Sequence, residues 1–484
     1  MKISETPPGF ASRHNLNVPT RCEAVKEILE IASAHDLETI RVSFADQHGV
    51  LRGKVVMVAD LAAVLENGVS VTSTLLLKDT SHSTVFPVWD DDAGFGKGVL
   101  TGASDVLMLP DPTTFKILPW SNSAGWVIAD LYFADGSPVS LSTRGLLRQA
   151  LENLHERQLD LVCGLEVEFY VYQMIDPHLE HNHSGKSQMP PSTRLLSQGN
   201  QYLTEQNYDQ IELVMDLIRR HATALNLPMR SLEAEFGPSQ FEVTFHPGTA
   251  LQIADNMILF RSMVKQVCRR EGYHATFMCR PNLANTMGSG WHLHQSVIEI
   301  DSGRNQFMPE EGNTLSPLGA QWIAGILQHA LESCLLSTPT INGYKRYQPF
   351  ALAPDRVQWG KDNRGAMVRA LCEPGNACSR IENRIGEPAA NPYLYIASQI
   401  LSGLDGIERE IPVPDAVETP YQGESARLPQ SFIQALEAFD SSVFYREKLG
   451  QEFVDYYAHL KRAEWNRFMH TVSDWEHTEY FSLF

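Results

Sequence analysis

Basic residues are in short supply: 39 Lys and Arg stand against 58 Asp and Glu, a formal charge of −19 over 484 residues. A mean field of that sign repels phosphate backbones and anionic lipid, which argues against nucleic acid or a membrane as partner. Cysteine is scarce too. The seven cysteines (22, 163, 268, 279, 334, 372 and 378) are odd in number, scattered and free of any C-x-x-C. They signal neither a disulfide framework nor a cysteine zinc site, and a reducing cytoplasm is the simplest compartment. No stretch reaches the ~18 apolar residues of a membrane span. The opening MKISETPPGFASRHNLNVPT lacks the apolar core of a secretion signal and reads as a loose tail over residues 1–20. Internal repeats, low-complexity linkers, the phosphate loop G-x-x-x-x-G-K-[ST] and the kinase signatures are missing as well.

What is present is the composition of an ordinary globular protein, 43% hydrophobic and 20% charged, which excludes collagen-like, coiled-coil and largely disordered chains. The length admits one large domain or two to three. Ile40, Val42 and Phe44 alternate along Glu38 to Ala45, the Asp46-Gln47-His48-Gly49 turn follows, and a second β-rich run starts at Leu51. That predicts a hairpin in a small N-terminal β-domain over 21–140. Frequent Pro and Gly from Phe86 to Pro119 imply long ordered loops. Ser142 can cap a helix whose Leu146, Leu147, Ala150, Leu151 and Leu154 share a face, which sets the domain boundary near 140. Beyond it, Leu161 to Tyr172, Glu235 to Phe245 and Trp291 to Ile300 are strand-like. Asp255 to Glu271 and Pro317 to Leu336 have helical spacing, so the larger domain, 141–484, reads as α+β.

Four segments carry chemistry. In Gly164-Leu165-Glu166-Val167-Glu168-Phe169, strand alternation puts both carboxylates on one face, where each raises the other's pKa unless a cation neutralises them. Glu235-Phe236-Gly237-Pro238-Ser239-Gln240-Phe241-Glu242 brings two more carboxylates around a Gly-Pro turn. Met287-Gly288-Ser289-Gly290-Trp291-His292-Leu293-His294-Gln295-Ser296 feeds a Gly-rich turn into a strand presenting His292, His294 and Ser296 on one side, a plausible metal or phosphate pair. Taken singly, these segments read equally as a solvated sheet face, an exposed turn and structural histidines. Lastly, Arg346, Arg364, Arg369, Arg380 and Arg384 crowd one stretch of an acidic protein, which suggests an anion site rather than scattered salt bridges. Oxygen-rich ligands with one imidazole favour Mg²⁺ or Mn²⁺, and two such ions beside arginines are what phosphoryl transfer needs.

In order and approximate spacing, these segments resemble the glutamine synthetase family from about Arg41 to the C-terminus. The E-x-E strand, E…P-x-Q-x-E, G-S-G-x-H-x-H-x-S, P-T-x-N-x-Y-K-R, N-R-x-x-x-x-R and R-I-E-x-R followed by P-A-A-N-P-Y-L make a six-part match. The resemblance implies a β-grasp N-terminal domain and a catalytic domain on a curved antiparallel sheet flanked by helices. It also implies a dodecamer of two stacked hexameric rings with active sites between subunits. It makes Glu168, Glu235 and Glu242 ligands of a metal near the amino-acid substrate, and Glu166, His292 and Glu382 ligands of a metal among nucleotide phosphates. Arg346, Arg384 and the Gly288 backbone would hold glutamate, and Arg364 and Arg369 would face the transferred phosphoryl group. His294, Ser296 and Arg380, with Arg369, fall at nucleotide-contacting positions, and Asp46 matches the acid an adjacent subunit lends to activate the amine. The implied reaction joins ATP, L-glutamate and an amine through γ-glutamyl phosphate.

This sequence also departs from the family. The family's loop after Y-K-R carries a glutamate that helps bind ammonium, and Leu352 occupies its place; the asparagine before G-S-G is Met287. Two polar-to-apolar changes predict an amine with an apolar alkyl or aromatic group, since each buried CH₂ is worth about 0.8 kcal/mol and bare ammonium gains nothing. The resemblance is therefore to the γ-glutamyl-amine ligase branch (γ-glutamylanilide, γ-glutamylisopropylamide or γ-glutamylpolyamine synthetases). The rivals are an ordinary glutamine synthetase and a catalytically inactive structural member. Tyr421, in Glu418-Thr419-Pro420-Tyr421-Gln422-Gly423, is not in an adenylylation context.

Overall fold

A computed structural model describes residues 8–91, 100–186 and 188–484. The smaller of its sheets is built from β1 (Thr39–Ala45), β2 (Leu51–Met57), β3 (Val69–Thr72), β4 (Asp105–Pro110), β5 (Lys116–Ile117) and β6 (Ala124–Tyr132). Their order is β2-β1-β6-β4-β3, with β5 on β6. β1 and β2 are the expected hairpin, with Ile40, Val42 and Phe44 all buried. Its turn is organised by Asp46, whose Oδ1 accepts the His48 and Val50 N–H at 2.9 Å each.

Two expectations for this region need correction. The segment 86–119 contains β4 and β5, because Val106, Met108 and Leu109 form a buried apolar run that the prolines only punctuate; residues 92–99 of that segment lie outside the described residues. The N-terminal segment is not loose throughout. Phe10–Arg13 is a helical turn whose Phe10 and Ala11 pack on Leu109, and a helix over Pro19–Ala34 follows. Residues 1–7 of the expected tail lie outside the described residues.

After the Ser142-capped helix Thr143–His155 comes the larger sheet. It comprises β7 (Leu159–Asp176), β8 (Ser192–Arg194), β9 (Met229–Ala234), β10 (Gln240–Phe245), β11 (Gly248–Thr249), β12 (Tyr273–Thr276), β13 (Trp291–Glu299), β14 (Trp359–Lys361), β15 (Val368–Leu371) and β16 (Arg380–Asn383). Its path runs β14-β15-β16-β13-β7-β10-β9, antiparallel at every pairing on the path except β14 with β15. Leu165, Val167 and Phe169 of β7 are buried, with helices such as Ala250–Arg270 and Pro392–Glu408 supplying further core. The fold is thus α+β, two sheets with helices.

The single helix expected over Pro317–Leu336 is two, Pro317–Gln328 and Ala330–Ser337. The break falls at His329, whose buried ring pairs with Glu332 and, through Nε2 at 2.7 Å, with Asp405. Helix Pro317–Gln328 crosses Pro392–Glu408 so closely that a Cβ on Gly325 would lie 2.0 Å from Ser402 O. The two parts of the chain are clamped by the buried Arg144 guanidinium, which bridges Asp111 and Asp130 of the first to Asp255 of the second at 2.7–2.8 Å.

Candidate active site

Strand register assembles the site. Glu166 of β7 lies opposite His292 of β13, Glu168 opposite Glu242 of β10, and Glu382 of β16 between His294 of β13 and Arg369 of β15. Five neighbouring strands therefore deliver their charged side chains to one face, while the intervening apolar residues fill the core on the other.

His292 Nδ1 donates to Glu166 Oε1 at 2.6 Å and lies 3.6 Å from Glu382 Oε1, while its Nε2 is 3.9 Å from Glu168 Oε1. Glu166, His292 and Glu382 form one close group of potential ligand atoms, and Glu168, Glu242 and His292 a second. His292 stands in both. Glu235, expected beside Glu168 and Glu242, belongs to neither group; it sits in the turn before β10, where its carboxylate accepts its neighbour Phe236's N–H. Its charge still reaches the set, since it ranks next to burial in raising the Glu168 carboxyl.

Charges within the cluster are unbalanced. Burial, then Glu235, pushes Glu168 up to about 8; burial pushes Glu235 up to about 7; burial, then Glu166, pushes Glu242 up to about 11. Burial acts on Glu166 in the same sense, but hydrogen bonds from His292 and His294 outweigh it and hold that carboxylate well below the ordinary range. For Glu382 burial is likewise outweighed, first by Arg384, and the group stays ionised although fully enclosed. Burial, then Arg384, brings His292 down to about 4, leaving a neutral imidazole able to ligate. Three carboxyls raised by burial and by neighbouring carboxylate charge leave room for positive charge among them, as a bound cation would supply. An oxygen-rich set with a neutral imidazole fits Mg²⁺ or Mn²⁺.

Arginines rim this face. Arg369 Nη1 donates to Glu382 Oε2 at 3.0 Å and its Nε to Asp362 at 2.9 Å; Arg384 Nη1 pairs with Glu382 Oε1. Arg346, on the helical turn Gly343–Arg346, donates to Arg384 O at 3.0 Å and to His292 Nε2 at 3.2 Å. Gly290 makes that approach possible, because a Cβ there would stand 2.5 Å from Arg346 Nη2. Gly288 also lies against the Arg346 side chain. Arg380 donates to His294 Nδ1 at 3.3 Å, and Ser296 Oγ to Ser379 O at 2.9 Å. Arg364 is exposed on the turn after Asp362.

Leu352 and Met287 are 52% and 43% exposed. Leu352 O accepts from Arg384 Nη2 at 3.4 Å, and on the same loop Phe350 lies against Tyr421 with ring centroids 4.8 Å apart. Asp46 stands apart from the cluster. Its carboxylate is 1% exposed, both oxygens being taken by its own turn and by Arg52 Nε at 2.8 Å.

Two residues of consequence were not singled out from sequence. Gln240 is buried and donates from Nε2 to both Glu168 Oε2 and Ser289 Oγ at 3.0 Å, tying the β10 carboxamide to the β7 carboxylate. Its position two residues before Glu242, on the same strand face, was the available signal. Tyr170 OH bridges Met287 N and O at 2.9 Å each, fixing the turn before His292.

Residues 140–480 match the family model for the glutamine synthetase catalytic domain. A γ-glutamylanilide synthase of Acinetobacter sp. is 40% identical, over 98% of this chain and 99% of its own. A γ-glutamylethanolamide synthetase of Streptomyces coelicolor is 32% identical, over 93% of this chain and 94% of its own. The solved ADP complex of GmaS superposes with a TM-score of 0.79 at 27% identity, covering 94% of this chain and 99% of that one.

Proposed function

The chain belongs to the glutamine synthetase family, and from that premise we propose that it is an ATP-dependent ligase joining the γ-carboxylate of L-glutamate to an apolar alkyl or aromatic amine, with ADP and phosphate as co-products. Arg346 and Arg384, with the Gly288 backbone, hold the glutamate carboxylates so that a γ-oxygen can attack the terminal phosphorus of ATP. His294, Ser296 and Arg380 hold the nucleotide, and Arg364 and Arg369 neutralise charge on the phosphoryl group in flight. Two or more divalent ions, Mg²⁺ or Mn²⁺, would be held by Glu168, Glu235 and Glu242 and by Glu166, His292 and Glu382; when bound they supply the charge neutralisation that phosphoryl transfer requires. The amine then attacks the acyl carbon of γ-glutamyl phosphate, phosphate leaves with the bonding pair, and the amine's proton passes to a base.

The base is Asp46 of a neighbouring subunit in a dodecamer of stacked rings. Arg52 must release its carboxylate for that role, because within one chain both oxygens are engaged. The exposed Leu352, on a loop whose backbone is tied to Arg384, supports the choice of an apolar amine: a leucine neither attracts a cation nor accepts a proton. The seven cysteines are all free, in keeping with a cytoplasmic enzyme. Among the described residues no helix is long and apolar enough to cross a membrane.

Purified protein with ATP, Mg²⁺ or Mn²⁺ and L-glutamate, offered ammonium, isopropylamine, aniline, ethanolamine or putrescine, should form γ-glutamyl amides of the apolar amines, read by mass spectrometry. Preference for ammonium would make it an ordinary glutamine synthetase; no product from any amine would make it a structural member.

A further inference from the structure

Where β7 ends, the chain reads Asp176-Pro177-His178-Leu179-Glu180-His181-Asn182-His183, a density of imidazole and carboxylate that the ligase chemistry does not use. We propose that His178, Glu180 and His183, with water completing the shell, form a second metal site, built for zinc and serving to staple the loop between β7 and β8.

One potential ligand atom from each of His178, Glu180 and His183 falls within 4.8 Å of the others. The two rings stand perpendicular, centroids 5.1 Å apart. Both Nδ1 atoms are shielded from solvent and make no hydrogen bond, although a carboxylate oxygen faces each: Asp176 Oδ2 at 3.5 Å from His178, Glu180 Oε2 at 2.5 Å from His183. A shielded imidazole nitrogen left without a hydrogen bond is costly unless something accepts its lone pair. His178 Nε2 lies 2.8 Å from Ser192 Oγ, a hydroxyl able to accept its proton when Nδ1 gives its lone pair to an ion. Asp176 is held in place in turn, its Oδ1 accepting the His178 N–H at 2.9 Å. Bonds of ~2.0–2.2 Å to a tetrahedral ion put its ligands roughly 3.3–3.5 Å apart, so three ligand atoms already within 4.8 Å of one another need only close in slightly on an ion.

Donor chemistry separates this cluster from the one at Glu166. Two imidazoles with carboxylates suit zinc, whereas an oxygen-dominated set suits Mg²⁺ or Mn²⁺. Glu168 and Asp176 are eight residues apart on one strand, roughly 26 Å at ~3.3 Å per residue, so no ion can serve both. The β7–β8 pairing shifts register between Met174 and Asp176, where the chain begins to leave the sheet; an ion gripping both sides of the ensuing turn would restrain it.

The test uses the full-length protein, stripped with chelator and then kept in excess Mg²⁺ to fill the oxygen-rich sites. Titrated Co²⁺, the spectroscopic stand-in for zinc, should bind at about one equivalent per chain with the intense visible absorption of a four-coordinate site. Zn²⁺ should displace it and raise the melting temperature. In the His178→Ala, His183→Ala double variant that equivalent should weaken at least ~100-fold and the zinc-dependent shift should vanish; melting in excess Mg²⁺ without zinc, compared with wild type, checks that the variant folds. His178→Cys, which restores a zinc ligand, should recover part of the affinity in a His183-intact chain. Equal Co²⁺ stoichiometry and affinity in wild type and double variant, or no four-coordinate spectrum in wild type, would overturn the assignment and leave His178 and His183 as ion-paired surface histidines.

Discussion

Replacing Glu242 by Gln should stabilise the metal-free protein and weaken its response to metal. Glu242 is buried opposite Glu168, and burial together with Glu166, Glu168 and Glu235 pushes its carboxyl up to about 11. In the unfolded chain the same group titrates near ~4.3. Below that pH both states hold the proton and nothing is lost. As pH rises between the two values, the unfolded chain releases its proton while the folded one does not, so stability falls by about 1.4 kcal/mol per pH unit. By neutral pH the loss amounts to about 3–4 kcal/mol, and it would continue towards the folded value. Glutamine keeps the shape and has no proton to lose. Thermal unfolding in EDTA between pH ~5 and ~8 should show the wild type losing stability steadily and the variant less, a gap of about 3 kcal/mol opening by neutrality. Adding Mn²⁺ should lift the wild type far more than the variant, because the cation replaces the proton on Glu242 only where a carboxylate exists. Equal melting temperatures of the two proteins in EDTA at pH ~8 would refute the idea that the carboxylate cluster is held under electrostatic strain.

Asp46→Ala should chiefly slow the amine step, and unchanged turnover at limiting amine would remove Asp46 from the mechanism; because Asp46 also organises its turn, Asp46→Asn, which keeps an oxygen to accept the His48 and Val50 N–H but offers Arg52 no acceptor, should retain the turn while failing in the same step. Leu352→Glu should move preference toward ammonium, and a constant ratio of ammonium to isopropylamine products would show that the pocket argument is wrong. Arg144→Met should destabilise the chain by about 3–5 kcal/mol, since it strands Asp111, Asp130 and Asp255 without their buried cation; urea unfolding measures it, and a loss under ~1 kcal/mol would mean that water or Arg148 takes over the role. Gln240→Leu should weaken Mn²⁺ binding in a calorimetric titration by turning Glu168 loose, and unaltered affinity would confine Gln240 to packing.

Local pattern was legible wherever one strand or helix decides its own faces. Leu165, Val167 and Phe169 announce the orientation of Glu166 and Glu168, and Ser142 announces its helix, because alternation and capping act over a few residues. Contacts across long separations were not. Nothing near His329 in the chain reveals Asp405, which helps hold its ring at the break between two helices, and nothing near Phe10 reveals the Leu109 surface that orders it. Strand alternation in the motifs gave the facing of Glu166 and Glu168, and register then sets His292 opposite Glu166, Glu242 opposite Glu168 and Glu382 opposite His294. The motifs did not foretell that Glu235 would sit outside both close ligand groups, or that the Asp46 carboxylate would be enclosed by its own turn and Arg52, since a side chain's partners are set by register and turn geometry rather than by residue type.

The chain of contacts from Leu352 O to Arg384, from Arg384 both to Glu382 and, through its carbonyl, to Arg346, and on to His292 leaves no gap between the groups proposed for glutamate and those proposed for metal. When Arg384 leaves Glu382 to grip an incoming carboxylate, that glutamate is left with Arg369 alone and its freed oxygen favours a metal cation. Occupancy of one compartment is then a thermodynamic argument for occupancy of the other. By reciprocity, whatever factor metal adds to glutamate affinity, glutamate must add to metal affinity.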